Sequence, residues 1–249
     1  MSPKKKNNSV IAICIQEPSE DGSQMDLGAI QGDDLRFLHQ AFITDTIVNA
    51  LQVPSADVRL YFISEPERLR LINIVSDYLS KKLTGNNRDA FKNRFVSCEM
   101  ERERWGLRMD QVFRTCFESG YKNVLLIGSR TPTITAKMME TALRMLDQSE
   151  AVFGPTPEGR YYIIGMAGQY WINLSDFDWK SASIYSEVAR AFADRKLSWS
   201  ELEIWYAVES PEELDLMARD INQYRFEQDE MTARETELVM ERLISKLES

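Results

Sequence analysis

Short apolar runs and amphipathic stretches alternate along most of the chain. Val10 to Ile15 is a six-residue apolar run rich in β-branched residues and reads as a buried strand. Glu17 to Gly32, rich in Gly, Ser and Asp, reads as a long loop. Asp33 and Asp34 can cap a helix that places Leu35, Leu38, Phe42, Ile43, Thr46, Ile47 and Ala50 on one face and runs to about Leu51. Val58 to Ile63 predicts a second strand, and Ser64-Glu-Pro-Glu opens a helix with Pro66 in its first turn. Phe95 to Cys98 reads as a third strand. Leu107, Val112, Phe113, Cys116 and Phe117 share a helix face, with Gly120 as its stop. Val124 to Ile127 is the clearest buried strand, followed by a turn at Gly128 to Pro132. A helix is expected at about 135–147, with Met138 and Met139 in its core-facing spacing. Short strands follow at Ala151 to Phe153 and Tyr161 to Ile164, around a Gly/Pro turn. Helix is expected again at 184–195, strand at 203–208, and helix at 211–225 and 230–247.

This alternation predicts an α/β fold: a mostly parallel sheet with helices on both faces. No composition break divides the chain. The expected organisation is a disordered polar tail over 1–9, one domain over 10–226, and a C-terminal helical extension over 227–249. In the last helix Leu238 or Val239, Arg242 or Leu243 and Lys246 or Leu247 make a narrow stripe. That stripe can pack on its own domain or form a homodimer contact.

Composition narrows the function. Thirty Lys and Arg against 39 Asp and Glu give a net charge of −9, which argues against a nucleic-acid partner. All of that excess falls in residues 201–249, with 14 acids and five bases, and it reads as a solvated helical face. No apolar run approaches the length of a membrane span. Three cysteines without framework or zinc spacing fit a reducing cytosol, so the expected localisation is cytoplasmic. With a single histidine, His39, a His-rich metal site is excluded and a Ser/His/Asp triad could be built only around that residue. His39 lies near the apolar face around Leu38 and Phe42 and reads as a packing residue.

In an open α/β sheet, ligands bind beyond the carboxyl ends of the strands. The loops there carry no G-x-G-x-x-G and no G-x-x-x-x-G-K-[ST]. Ser129 sits in Ile127-Gly-Ser-Arg-Thr and not in a G-x-S-x-G elbow, which argues against a hydrolase.

The stretch Val124-Leu-Leu-Ile-Gly-Ser-Arg-Thr-Pro-Thr-Ile-Thr135 resembles the core motif of GT-A-type nucleotide-diphospho-sugar transferases. It is most similar to a small bacterial glycosyltransferase-like branch that reads strand–G-[ST]-D-x-P-x-L. Further segments match that branch in order: Ala41-Phe-Ile-Thr-Asp-Thr46, Gly106-Leu-Arg-Met109, Gly154 to Tyr162, Phe177-Asp-Trp179 and Trp205 to Leu214. Together they span about 10–220. The resemblance implies a single GT-A-like domain and a nucleotide-diphospho-sugar ligand, with Arg108, Ser129, Arg130, Arg160 and Tyr161 as substrate- or nucleotide-binding candidates.

The departures bear on chemistry. The branch's basic loop after the first strand is here Gln16 to Leu27, without Lys or Arg. The aspartate that would coordinate Mg²⁺ or Mn²⁺ is here Arg130, the D-V-D acids are Ala207 and Glu209, and the D-G-G segment is Glu158-Gly159-Arg160. A guanidinium stays protonated and cannot bind a cation, so no metal cofactor is expected. In one reading Arg130, with Arg160, replaces the metal at the diphosphate, and Glu158 or Glu209 serves as a base or orients an acceptor hydroxyl. In a second reading the site has decayed and the fold persists as a binding scaffold or regulator. A third is a nucleotidyltransferase, since the fold serves that chemistry too. Arg130 could also form a salt bridge only, Arg108 could tie the preceding loop to the sheet, and one of Tyr161 and Tyr162 must be core.

Overall fold

A computed structural model of the chain describes residues 7–16, 25–63, 89, 92–101 and 103–247. Strand β1 (Ser9–Cys14) is followed by helix α1 (Gly32–Leu51), β2 (Ala56–Ile63) and β3 (Phe95–Met100). Then come α2 (Trp105–Glu118), β4 (Asn123–Gly128), α3 (Ala136–Met145), β5 (Ala151–Pro155) and β6 (Tyr161–Ala167). A 3₁₀ turn at Gly168–Tyr170 leads on to α4 (Ile184–Asp194), β7 (Trp199–Glu201), α5 (Pro211–Phe226) and α6 (Arg234–Leu247). The helix expected after Ser64 lies outside the described residues.

The strands form one sheet in the order β3-β2-β1-β4-β6-β5-β7. All neighbours are parallel except β6, which runs antiparallel to both β4 and β5. The apolar runs of β1 and β4 are buried on both faces, as central strands must be. One face carries α1 and α3 over a core that includes Ile11, Ile13, Leu125 and Ile127. The other carries α2 and α4 over Val10, Ala12, Val124 and Leu126. Alternate residues of each strand therefore feed opposite cores.

A third apolar cluster lies beyond the sheet, between α1, α5 and α6, with Leu38, Phe42, Met217, Ile221 and Leu243 at its centre. The stripe of the last helix thus packs within the domain through Leu243, with Val239 and Met240 against it. This explains why α1 is buried well beyond one face: from Ala41 to Thr46 every residue is buried, because sheet and α6 cover opposite sides. Asp45, 1 % exposed, is the hinge of that contact. It accepts the amides of Glu235 and Thr236 at 3.0 and 2.7 Å, closing the first turn of α6.

Two sequence expectations change. Residues 203–208 are not a strand: the sheet ends with the three residues of β7, upstream. The later segment takes single bonds from Trp205 to the Pro155 carbonyl and from Val208 to the Arg130 carbonyl. Its alternating side chains are shared between clusters, with Tyr206 and Val208 buried and Ile204 exposed. Residues 7–9 are not a free tail either. Ser9 begins β1, the Asn8 carbonyl accepts the Lys122 amide at 2.7 Å, and Asn7 Nδ2 donates to Asp57 at 2.9 Å.

Candidate functional site

The carboxyl ends of β1 and β4, the start of β6, the N-terminal turn of α2 and the loop 175–180 enclose a cleft of about 590 Å³. Its floor is the turn after β4. Here Arg130, 3 % exposed, donates from Nη1 to Glu209 Oε1 at 2.9 Å, and Arg160 donates from Nη1 to Glu209 Oε2 at 3.0 Å. One carboxylate is therefore gripped by two guanidiniums, one buried and one at the rim.

Local folding aims Glu209. The Ser210 amide donates to Glu213 Oε2 at 2.7 Å, half of a capping box that starts α5, with Pro211 in the first turn. Glu209 stands just before that cap. Its carbonyl accepts the Asp26 amide at 2.9 Å, and Val208 is bonded to Arg130 at 2.8 Å. The signal Ser210-Pro-Glu-Glu213 is visible in the sequence and fixes which way residue 209 points.

Arg160 follows the turn between β5 and β6. Gly159 has φ +74°, a left-handed conformation, and a Cβ there would lie 2.6 Å from the Ala182 carbonyl oxygen. The Gly159 carbonyl accepts the Tyr185 amide at 3.1 Å, so this turn is docked on the start of α4.

Ser129 lines the cleft but points behind its floor. Its Oγ accepts the Gln16 amide at 3.0 Å and shares a hydrogen bond with His39 Nε2 at 3.0 Å. Burial, with help from the Arg130 charge, pushes the His39 pKa down to about 3. A ring that resists protonation this strongly is a poor general base, so the pair staples α1 to the ends of β1 and β4 and does not form a nucleophilic dyad. The partnership links residues 90 apart, and the pattern around His39 does not contain it.

Arg108 is not among the cleft residues. Its guanidinium, 1 % exposed, donates to the Ile15 carbonyl and to Met100 Sδ, and lies 5.2 Å from the Trp105 ring. Glu158 sits at the exposed tip of the β5–β6 turn, also outside the cleft lining. Tyr161 lines the cleft, stacks on Tyr185 at 5.1 Å and donates to the Tyr185 carbonyl at 3.0 Å. Tyr162 is the core partner of the pair, 3 % exposed.

The opposite wall is aromatic: Trp105, Phe177 and Trp179 join Tyr161. Asp110 of α2 accepts the Leu174 amide at 3.3 Å, and Trp179 Nε1 donates to the Leu174 carbonyl at 2.9 Å, which holds the loop against α2. Contact is so close at Gly106 that a Cβ would lie 2.7 Å from Trp179 Nε1 and 2.8 Å from the Leu174 oxygen. Gly106→Ala is therefore expected to cost about 2 kcal/mol and to displace this wall. Equilibrium urea unfolding reads the first effect and Trp fluorescence the second.

Comparison with known proteins fits this geometry. A family described as an uncharacterized protein conserved in bacteria (DUF2064) matches residues 74–181, less than half of the chain. No curated protein matches. Among solved structures, a Desulfovibrio desulfuricans protein provisionally described as a nucleotide-diphospho-sugar transferase superposes with a TM-score of 0.72. It is 21 % identical, with 95 % of this chain and 98 % of that one covered. The chain has a GT-A-like fold. A 4-diphosphocytidyl-2C-methyl-D-erythritol synthase from Anaerococcus prevotii is more distant: TM-score 0.51, 12 % identity, 87 % of this chain and 96 % of that one. A cytidylyltransferase from Leptospira borgpetersenii gives 0.50, 9 % identity, 91 % and 97 %. Arg130 follows the carboxyl end of β4, and Glu209 reaches it from the segment just before α5. No described helix is long and apolar enough to cross a membrane.

Proposed function

We propose that the cleft binds a nucleotide-diphospho-sugar and transfers its sugar to a hydroxyl, with Arg130 and Arg160 doing at the diphosphate what a divalent ion does in metal-dependent relatives of the fold. The observation that carries this is the convergence of both guanidiniums on the two oxygens of one carboxylate. A site already shaped to grip an oxyanion with planar donor forks suits phosphate by the same chemistry. Two cations against one anion leave a net positive charge to receive it.

The donor set does not fit a divalent ion. The position offers guanidiniums with no lone pairs, and both Glu209 oxygens are engaged by them. Among the described residues, no three His, Cys, Asp or Glu side chains group so as to hold a metal. In the transfer step the acceptor oxygen forms a bond to the anomeric carbon. The bond from that carbon to the diphosphate oxygen breaks, the nucleoside diphosphate leaves with the electron pair, and the acceptor proton passes to a carboxylate. Arg160, at the rim, contacts the leaving group, Arg130 supplies buried positive charge, and Glu209 orients both.

A second reading draws on the same contact. Glu209 already satisfies both arginines, as in a scaffold that has given up transfer. Isothermal calorimetry of UDP, GDP, CDP and dTDP in EDTA separates the two. The transferase reading expects one of them to bind, with affinity falling about tenfold in Arg160→Ala. Because Arg160 is half exposed, its removal should change stability by under about 1 kcal/mol. Absence of binding by all four would contradict the transferase reading. Release of pyrophosphate from a nucleoside triphosphate would mark a nucleotidyltransferase instead.

A further inference from the structure

We infer that the aromatic end of the cleft is an acceptor site for a saccharide or similar polyol ring, with Asp176 and Asp178 receiving its hydroxyls. This rests on the transfer reading above for the word acceptor, but not for the binding of a ring.

Trp105, Tyr161, Phe177 and Trp179 are all half-buried, so each keeps part of its ring surface open. Along the loop the side chains alternate: Phe177 and Trp179 turn inward, while Asp176 and Asp178 stay exposed on the rim. A hydroxylated ring is amphipathic in the same way, with C–H faces and polar edges. Its faces gain by covering aromatic surface, and its hydroxyls donate to carboxylates.

The wall is built in advance. Phe177 meets Trp179 edge-on at 6.4 Å, Trp179 lies 6.1 Å from Tyr161, and its indole N–H is held by Leu174. Asp178 Oδ1 accepts the Lys180 amide at 3.0 Å, and Asp176 Oδ1 accepts Ser175 Oγ at 3.2 Å. Such rigidity lowers the ordering cost of binding.

Charge decides which ligand goes where. The aromatic end has Asp176 and Asp178 against Arg104 and Lys180, a balanced set. The floor has Arg130 and Arg160 against Glu209. The diphosphate is drawn to the floor, and a neutral hydroxylated molecule is left to the carboxylate-bearing end. In the transfer step Asp176 or Asp178 takes the acceptor proton as its oxygen bonds to the anomeric carbon.

The test is saturation-transfer NMR on the full chain. The probes are methyl glycosides of glucose, galactose, mannose and N-acetylglucosamine, together with myo-inositol, each with and without UDP, GDP, CDP or dTDP, and the intact donors UDP-glucose and GDP-mannose. The expected result is saturation of ring C–H signals in at least one free polyol. That signal should fall about fivefold in Phe177→Ala and in the exposed, structurally mild Asp176→Asn, with nucleotide signals unchanged. Ring signals without any nucleotide signal would refute the proposed function and leave this site standing. No saturation of any free polyol overturns the inference. So does ring saturation confined to UDP-glucose or GDP-mannose, which would assign the wall to the donor sugar. Loss of nucleotide signals in both variants would overturn it as well.

Discussion

Glu209→Ala is expected to destabilise the protein by about 3 kcal/mol, although the side chain is only one contact among many at the cleft. The cause is what it leaves behind. Arg130 is 3 % exposed, and its guanidinium would lose the carboxylate that compensates its removal from water. Glu209 itself is 27 % exposed, which places the cost at the low end for a buried pair. Glu209→Gln keeps an acceptor without the charge and should cost about half as much. The decisive control is the double variant Arg130→Met with Glu209→Leu. Removing both charges should recover most of the stability, because an apolar pair of similar volume pays no desolvation. Urea unfolding of the parent, Arg130→Met, Glu209→Leu and the double variant closes this cycle. A double-variant cost equal to the sum of the two single costs would mean that the pair is not coupled.

The second large effect is a pH dependence written into the clasp between α1 and α6. Burial raises the Asp45 pKa to about 7, against the lowering effect of its bonds to Thr236 and Glu235. A carboxyl whose pKa is raised by folding favours the folded state most when protonated. Its contribution is full below about pH 4, the unfolded value, and declines as pH rises to about 7. Across that window the loss is on the order of 4 kcal/mol. Asp45→Asn removes the titration while keeping one oxygen for the α6 amides. The stability of this variant relative to the parent should therefore rise steadily from pH 4 to pH 7 and then level off. Urea unfolding at pH 4, 5.5, 7 and 8 measures it, and a difference that is flat with pH would refute the assignment. Other carboxyls titrate in both proteins and cancel in the comparison, except Glu235, whose charge acts on Asp45.

Much of this architecture is legible in the sequence. The runs at Val10 and Val124 are buried on both sides, and only a central strand needs such continuity. The helix from Gly32 to Leu51 was legible from Asp33 and Asp34 in its first turn and from its many apolar positions. What failed was information held between distant segments. Residues 203–208 carry a strand-like alternation, yet their apolar side chains answer to separate partners, so no ladder forms. Residues 41–46 are buried around the whole helix because α6 returns from the far end of the chain, which a one-face pattern does not encode.

The site divides along the same line. Arg130 and Glu209 were legible as departures at motif positions, but their union across 79 residues was not. Arg108 was open to two readings, a ligand residue or a tie to the sheet, and it lies outside the cleft lining, bonded to the Ile15 carbonyl and to Met100 of β3. Ser129 was legible as a cleft residue, and its tie to His39 was not. The aromatic wall had a partial signal in Phe177-Asp-Trp179. Its closure on Gly106 and Asp110 depends on tertiary contact alone.

The proposed role of Arg130 and Arg160 is to serve where a divalent ion would. A crystal grown with a nucleoside diphosphate and Mn²⁺, measured at the manganese absorption edge, tests it directly. The expected result is phosphate oxygens within hydrogen-bond distance of Arg160, beside the buried charge of Arg130, and no anomalous peak in the cleft. A manganese peak bridging the phosphates and held by carboxylates there would contradict it.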